Sequence, residues 1–211
     1  MNETLSALVA KFGLDINRKP PIEILKINRT IMAQTLCELG FVEGAEIGVA
    51  KGEHAEILCQ NNPNLHLYAV DAWSGYRGYL DYLDGRLQSF HREAMDRLKP
   101  YNVTVIRKFS MEAVGDFPDN SLDFVYIDGG HDFKNVAMDI CEWIKKVKIG
   151  GILYGHDFKR STNPRLCQEV VDVVQAYTYA KGINPWFTLG ERGRNDGMYR
   201  EGTRSWMWVK A

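Results

Sequence analysis

Residues 44–58 read G-A-E-I-G-V-A-K-G-E-H-A-E-I-L: a short apolar run, two spaced glycines, then a helical pattern. The run 45–49 suits a strand, Gly48 and Gly52 punctuate a turn, and 53–60 repeats at helical spacing. The same alternation continues outward. Strand-like runs fall at 65–70, 102–107, 122–127 and 151–155, with helical periodicity over 83–98 and 133–147 and a short turn from Ser110. Alternation of this kind predicts a parallel sheet with helices on both faces. Asn163-Pro164 has the signature of a further helix start, with Asn as cap and Pro at the first helical position. The C-terminal end changes pattern. W-F-T-L (186–189) and S-W-M-W-V (205–209) read as strands, and the glycine-rich stretch between them cannot supply a crossover helix. Two such strands pair antiparallel. The expectation is an α/β fold: a doubly wound, mostly parallel seven-stranded sheet that ends in an antiparallel hairpin.

Upstream of the glycine turn, Leu5, Leu8, Val9 and Phe12 share one helical face before Gly13. Pro20-Pro21 marks a rigid break, and Ile31, Met32, Leu36 and Leu39 define a second helix before Gly40. Residues 1–43 are therefore expected to form an N-terminal helical appendage, and 44–211 the main domain. At 211 residues, 45% apolar and 25% charged, the chain has the composition of an ordinary globular domain. Its 26 basic and 27 acidic residues give no electrostatic reason to expect nucleic acid or an anionic membrane as partner. A small molecule is the expected partner, and the five Trp and ten Tyr leave room for an interface between copies in a homo-oligomer. The four cysteines show no metal-ligand spacing. Cys37, Cys59 and Cys141 fall in helical patterns as small hydrophobes. The N-terminus lacks a basic segment followed by a long apolar core, and no apolar run approaches the roughly 20 residues of a membrane span. The expected setting is a reducing cytoplasm.

The chemistry of the glycine turn is set by its carboxylates. Gly48 and Gly52 let a ligand approach the backbone beside helix N–H groups, which favour an anion. Glu46 precedes the turn, and Asp71 ends the second strand, where an acidic group accepts hydrogen bonds from ribose hydroxyls. The loop E-I-G-V-A-K-G is not G-x-G-x-x-G, and Glu46 would repel a pyrophosphate. A ligand with an ammonium, a sulfonium, a carboxylate and a ribose fits better, and S-adenosylmethionine carries all four.

Four motifs bear on this reading: A-E-I-G-V-A-K-G, L-Y-A-V-D-A-W, D-F-V-Y-I-D-G-G-H and V-K-I-G-G-I-L-Y-G-H-D. Through them the chain resembles class I S-adenosylmethionine-dependent methyltransferases, in particular the macrocin-type sugar O-methyltransferase and cephalosporin-hydroxylase-like group. The resemblance covers 44–160 and implies a Rossmann-like sheet. It also implies a cofactor site of Glu46, Gly48, Gly52, Asp71, Ala72, Trp73, Ser110, Met111 and Asp128, and O-methylation of a hydroxyl on a small molecule such as a sugar or a phenol.

Asp128 ends the fourth strand, and His156 and Asp157 end the fifth, so three metal-ligating side chains converge outside neighbouring strand ends. In the sugar O-methyltransferases an Asp and an Asp-Asp pair at these places hold a divalent metal. Here the pair is His156-Asp157, which leaves open Mg²⁺, a softer ion such as Mn²⁺ or Fe²⁺, or no metal. His131, three residues after Asp128, is the candidate general base, with Asp128 as its catalytic companion and Asp132 as cap of the next helix. The stretch after Asp71 is too long for a minimal loop. Trp73, Tyr76, Tyr79 and Tyr82 are expected to cover the cofactor or a substrate ring, with 74–86 as a lid. Two further readings stay open: a cofactor-binding protein without methyl transfer, and a non-haem iron enzyme using His131, His156 and a carboxylate.

Overall fold

The computed structural model describes residues 2–75, 84–160, 167–191 and 203–211. In chain order its elements are α1 (Glu3–Phe12), β1 (Ile22–Ile24), α2 (Arg29–Glu38), β2 (Glu43–Ile47), α3 (Glu53–Asn61) and β3 (His66–Val70), then α4 (Asp84–Leu98), β4 (Val103–Ile106) and α5 (Ser110–Ala113). They continue with β5 (Leu122–Ile127), α6 (Phe133–Lys146), β6 (Val147–Gly155), α7 (Val170–Ala180), β7 (Phe187–Leu189) and β8 (Ser205–Val209). The strands form one sheet in the order β1-β7-β8-β6-β5-β2-β3-β4. Every pairing is parallel except those of β8, which runs antiparallel to both β6 and β7. From β2 the chain moves outward through β3 and β4, then returns to β5 on the other side. The winding therefore reverses between β2 and β5, and in open α/β sheets ligands bind outside the strand ends at such a point.

Both faces of the sheet are covered. Phe124 and Tyr126 of β5 join one apolar layer with Met32, Leu36, Leu58, Phe90 and Leu98 from α2, α3 and α4. Val125 and Ile127 join the opposite layer with Val136, Ile140, Trp143 and Val174 from α6 and α7. All six residues of β5 are buried, and after Asp123 its sequence runs F-V-Y-I without alternation. The cap expected of Asp132 forms: its side chain accepts from the Asn135 N–H at the start of α6. Among the described residues, no helix is long and apolar enough to cross a membrane.

The sheet has eight strands where the sequence reading placed seven. The addition is β1, from within 1–43, which pairs parallel with β7 and turns Ile22 and Ile24 inward. Three residues are too few for a period-2 pattern to declare itself. Arg204 secures this edge, donating from Nη1 to Glu23 Oε1 at 2.8 Å, from Nε to the Gly190 carbonyl at 3.1 Å, and from Nη2 to Thr188 Oγ1. Cys59 is buried as expected, whereas Cys141 is exposed on α6. The helix start at Asn163-Pro164, the tyrosines Tyr76, Tyr79 and Tyr82, and most of the connection between β7 and β8 lie outside the described residues.

One close approach fixes the strand ends that matter most. Gly48 has φ +90°, and a Cβ there would lie 2.3 Å from the Asp128 carbonyl oxygen. Its missing side chain makes room for the neighbouring strand end, not for a ligand. We predict that Gly48→Ala destabilises the protein by about 3–5 kcal/mol, combining backbone strain with overpacking. Gly115→Ala, with nothing within 4 Å of the added carbon, serves as the control. Urea denaturation checks this, and a Gly48→Ala midpoint equal to that of the control would contradict it.

Candidate active site

Outside the carboxyl ends of β2, β3, β5 and β6 lies a cleft of about 1220 Å³. Asp71, just past β3, builds its floor. Oδ2 accepts from the Val49 and Ala50 N–H groups at 3.0 and 2.9 Å, and Oδ1 accepts from the Trp73 N–H at 2.7 Å. The Trp73 indole N–H returns a bond to the Ala50 carbonyl at 2.7 Å. Ala50 (φ +48°) and Trp73 (φ +43°) both occupy the left-handed region, which side-chain-bearing residues avoid. Burial raises the Asp71 pKa, and the three backbone bonds offset only part of that rise. With three of about four lone-pair positions taken, one remains for a ligand hydroxyl.

Glu46, in β2, is 2% exposed and borders the cleft. Its Oε1 lies 3.6 Å from His54 Nδ1, while Oε2 has no hydrogen-bond partner among the described residues. Burial above all, then the charge of Asp128, raises its pKa well above the ordinary carboxyl range, with Arg29 opposing. A buried carboxyl with an open oxygen is costly unless a donor or cation arrives.

Beyond β5 and β6, Asp128, His131 and Asp157 present ligand atoms that all lie within 4.8 Å of one another. His131 Nε2 stands 2.8 Å from Asp157 Oδ2 and 3.9 Å from Asp128 Oδ1, the latter an electrostatic contact only. Desolvation pushes the His131 pKa down, but its interactions with Asp128 and Asp157 prevail and lift it to about 10. An imidazolium therefore sits here, not the neutral base expected from the sequence. The same contacts, together with His156, overcome burial and hold Asp157 well below the usual carboxylate range. Asp157 itself has φ +52°, strained for a non-glycine residue.

His156, expected as the third ligand, stands outside this group of three. Its Nδ1 is 3.4 Å from Asp157 Oδ1 and 3.8 Å from Asp128 Oδ1, while Nε2 faces Arg29 Nη2 at 3.2 Å and Thr203 Oγ1 at 3.0 Å. The group is thus two carboxylates and one imidazole, unlike the two-imidazole set of the iron reading.

At the other end of the cleft, Ser110 and Met111 are joined by Asp139 of α6. The Trp143 indole N–H donates to Ser110 Oγ at 2.7 Å, and the Ser110 hydroxyl donates to Asp139 Oδ1. Asp139 is 4% exposed, and burial pushes its carboxyl up to about 7 against the effect of Ser110.

Of the residues expected to hold the cofactor, Glu46, Gly48, Asp71, Ala72, Ser110, Met111 and Asp128 line the cleft. Trp73 is fully buried and packs on His91 with ring centroids 4.7 Å apart, so its ring is part of the scaffold. Gly52 caps α3 at φ +77°, where a Cβ would meet Leu98 and not a ligand. Arg29, Asp139 and Thr203 line the cleft without having been singled out in the sequence. Only Asp139 carried a signal, as a charge on the apolar stripe of α6 formed by Val136, Ile140 and Trp143.

A family model described as a methyltransferase domain matches residues 45–158, more than half of the chain. Among solved structures, the chain is similar to the O-methyltransferase TomG of Streptomyces achromogenes, solved with S-adenosylmethionine: 14% identity, TM-score 0.62, 100% of this chain and 91% of that one. It is similar in the same way to an O-methyltransferase of Bacillus cereus, solved with S-adenosylhomocysteine: 14% identity, TM-score 0.61, coverage 99% and 89%. An rRNA methylase of Streptococcus thermophilus shares the fold at 11% identity, with TM-score 0.57 and coverage 87% and 97%. The protein y4gI of Sinorhizobium fredii is 28% identical over 96 residues, 43% of this chain, and the chain spans only 10% of that protein's length. These identities speak for the fold; the family match, centred on the strands and loops that build the cleft, identifies the chain as a member of the methyltransferase-domain family.

Proposed function

We propose that the chain transfers a methyl group from S-adenosylmethionine to a hydroxyl of a small molecule, such as a sugar or a phenol. The observation that carries this reading is Glu46 Oε2, an unpartnered carboxylate oxygen inside a methyltransferase cleft. It is the natural receptor for the ammonium of the methionine moiety, with the remaining acceptor position of Asp71 available to the ribose. S-adenosylmethionine supplies an electrophilic methyl carried on a sulfonium. The chain's task is to bring a hydroxyl into line behind it and manage the proton.

Asp128 and Asp157 are the groups suited to that task. Ionised, they can accept the hydroxyl proton or, with His131 once it has given up its extra proton, ligate a divalent cation, which would polarise the hydroxyl. Two oxygens and one nitrogen suit Mn²⁺ or Fe²⁺ at least as well as Mg²⁺. His131, held as a donor between the two carboxylates, orients them and counters their charge. Arg29 and His156 close the far wall and set the shape that the acceptor must fit.

Two outcomes are expected. Glu46→Gln should weaken S-adenosylmethionine binding by about 10- to 100-fold in calorimetry, the scale of losing a hydrogen bond to a charged group. Unchanged affinity would remove Glu46 from the ammonium site. Asp128→Asn should keep that binding while formation of S-adenosylhomocysteine with hydroxylated acceptors falls by two or more orders of magnitude. Chelation of the wild-type protein should mimic it. Full turnover after chelation, with Asp157→Asn also silent, would eliminate the metal and leave proton transfer to Asp128.

A further inference from the structure

Asp139 stands apart from every group used above. It lies in the middle of α6, between buried Val136, Ile140 and Trp143, where an apolar residue would serve packing better. Its carboxyl is 96% buried (4% exposed), and among the described residues it has no ion-pair partner. The polarity of its surroundings is fixed in one direction. Trp143 can only donate, so Ser110 Oγ accepts from it at 2.7 Å and spends its single proton on Asp139 Oδ1. Oδ2 then remains as an acceptor with no bond from the described residues. Gly129 and Asp139 both line the cleft, and a Cβ added at 129 would lie 3.5 Å from Oδ2, in ordinary contact with it. Met111 and Phe109 line the same cleft, so two apolar side chains and one buried carboxyl acceptor share its wall.

Apolar side chains beside one buried acceptor match a flat heterocycle that carries an amino group. The ammonium already has Glu46 and the ribose has Asp71, so the part of the cofactor left for this end is the base. Resting on the function proposed above, we propose that Asp139 selects the base of the cofactor: Oδ2 accepts a hydrogen bond from the 6-amino group of adenine and repels the carbonyl of a 6-oxo purine. Ser110 is then a positioning residue. It aims Oδ2 by holding Oδ1 and does not itself read the base.

The test is calorimetric, in mildly alkaline buffer, with S-adenosyl-L-homocysteine and its deaminated counterpart S-inosyl-L-homocysteine as probes. The wild-type protein is expected to prefer the adenine compound by about 10-fold or more, since a buried acceptor rejects a ligand that cannot donate. Asp139→Asn replaces one acceptor by an amide donor and should collapse or reverse that preference, an outcome that loss of packing alone would not produce. If this variant does not fold, the wild-type protein titrated with the homocysteine derivative of unsubstituted purine riboside decides the matter, because loss of the amino group should weaken binding to a similar degree. Equal affinity of the wild type for both probes, or a preference unchanged in Asp139→Asn, would overturn the role of Asp139 and leave the cofactor reading intact. Failure of the wild type to bind S-adenosyl-L-homocysteine at all would overturn the cofactor reading, and this proposal with it.

Discussion

The carboxylate of Asp71 accepts from three backbone N–H groups on two loops, Val49 and Ala50 after β2 and Trp73 after β3. Backbone N–H groups at irregular positions have no ladder partner, and this one side chain serves both loops at once. Ala50 and Trp73 are each held in left-handed backbone at a cost of about 1–3 kcal/mol, which persists only where the surroundings enforce it. The Asp71 bonds and the Trp73 indole bond to Ala50 supply that enforcement. With the loop after β2 held in this shape, and Gly48 pressed on Asp128, the cleft keeps its form across the β2–β5 junction.

Around that floor the charges are arranged in pairs, except where a ligand is needed. Asp128 and Asp157 share His131, with Arg29 and His156 behind them. Taking ionised groups from water costs several kcal/mol each, and mutual attraction repays this only when the geometry is good. Glu46 and Asp139 lack such repayment, and burial accordingly raises the pKa of both. Under the proposed function, these two groups meet the cationic and amino-bearing parts of one cofactor. Bound ligand then satisfies what folding alone leaves open.

Most of this arrangement is legible in the sequence, for identifiable reasons. The parallel strands are apolar runs bounded by turn residues, and their ends fix Glu46, Asp71, Asp128 and Asp157 through the rule that sites lie outside strand ends. What is not legible depends on tertiary packing. Strand β1 is too short to show a period and exists because β7 and Arg204 receive it. Arg29 reaches the cleft from a helix whose own pattern says only that it is buried on one face. Trp73 sits in a conspicuous motif, yet its backbone bond to Asp71 turns the ring into the core. The state of His131 is only half visible in D-G-G-H-D-F: Asp128 is there, but the carboxylate within hydrogen-bond distance, Asp157, arrives from the end of β6.

Under the proposed function, the ends of β2, β3, β4 and β5 form one site that holds S-adenosylmethionine and its demethylated product alike. Hydrogen–deuterium exchange with and without saturating S-adenosylhomocysteine tests it most directly. Protection should appear together at 46–53, 71–74, 109–111 and 128–131, and exchange in β1 and α7 should stay unchanged. Protection absent from these four segments, or confined to a different face of the sheet, would contradict the account.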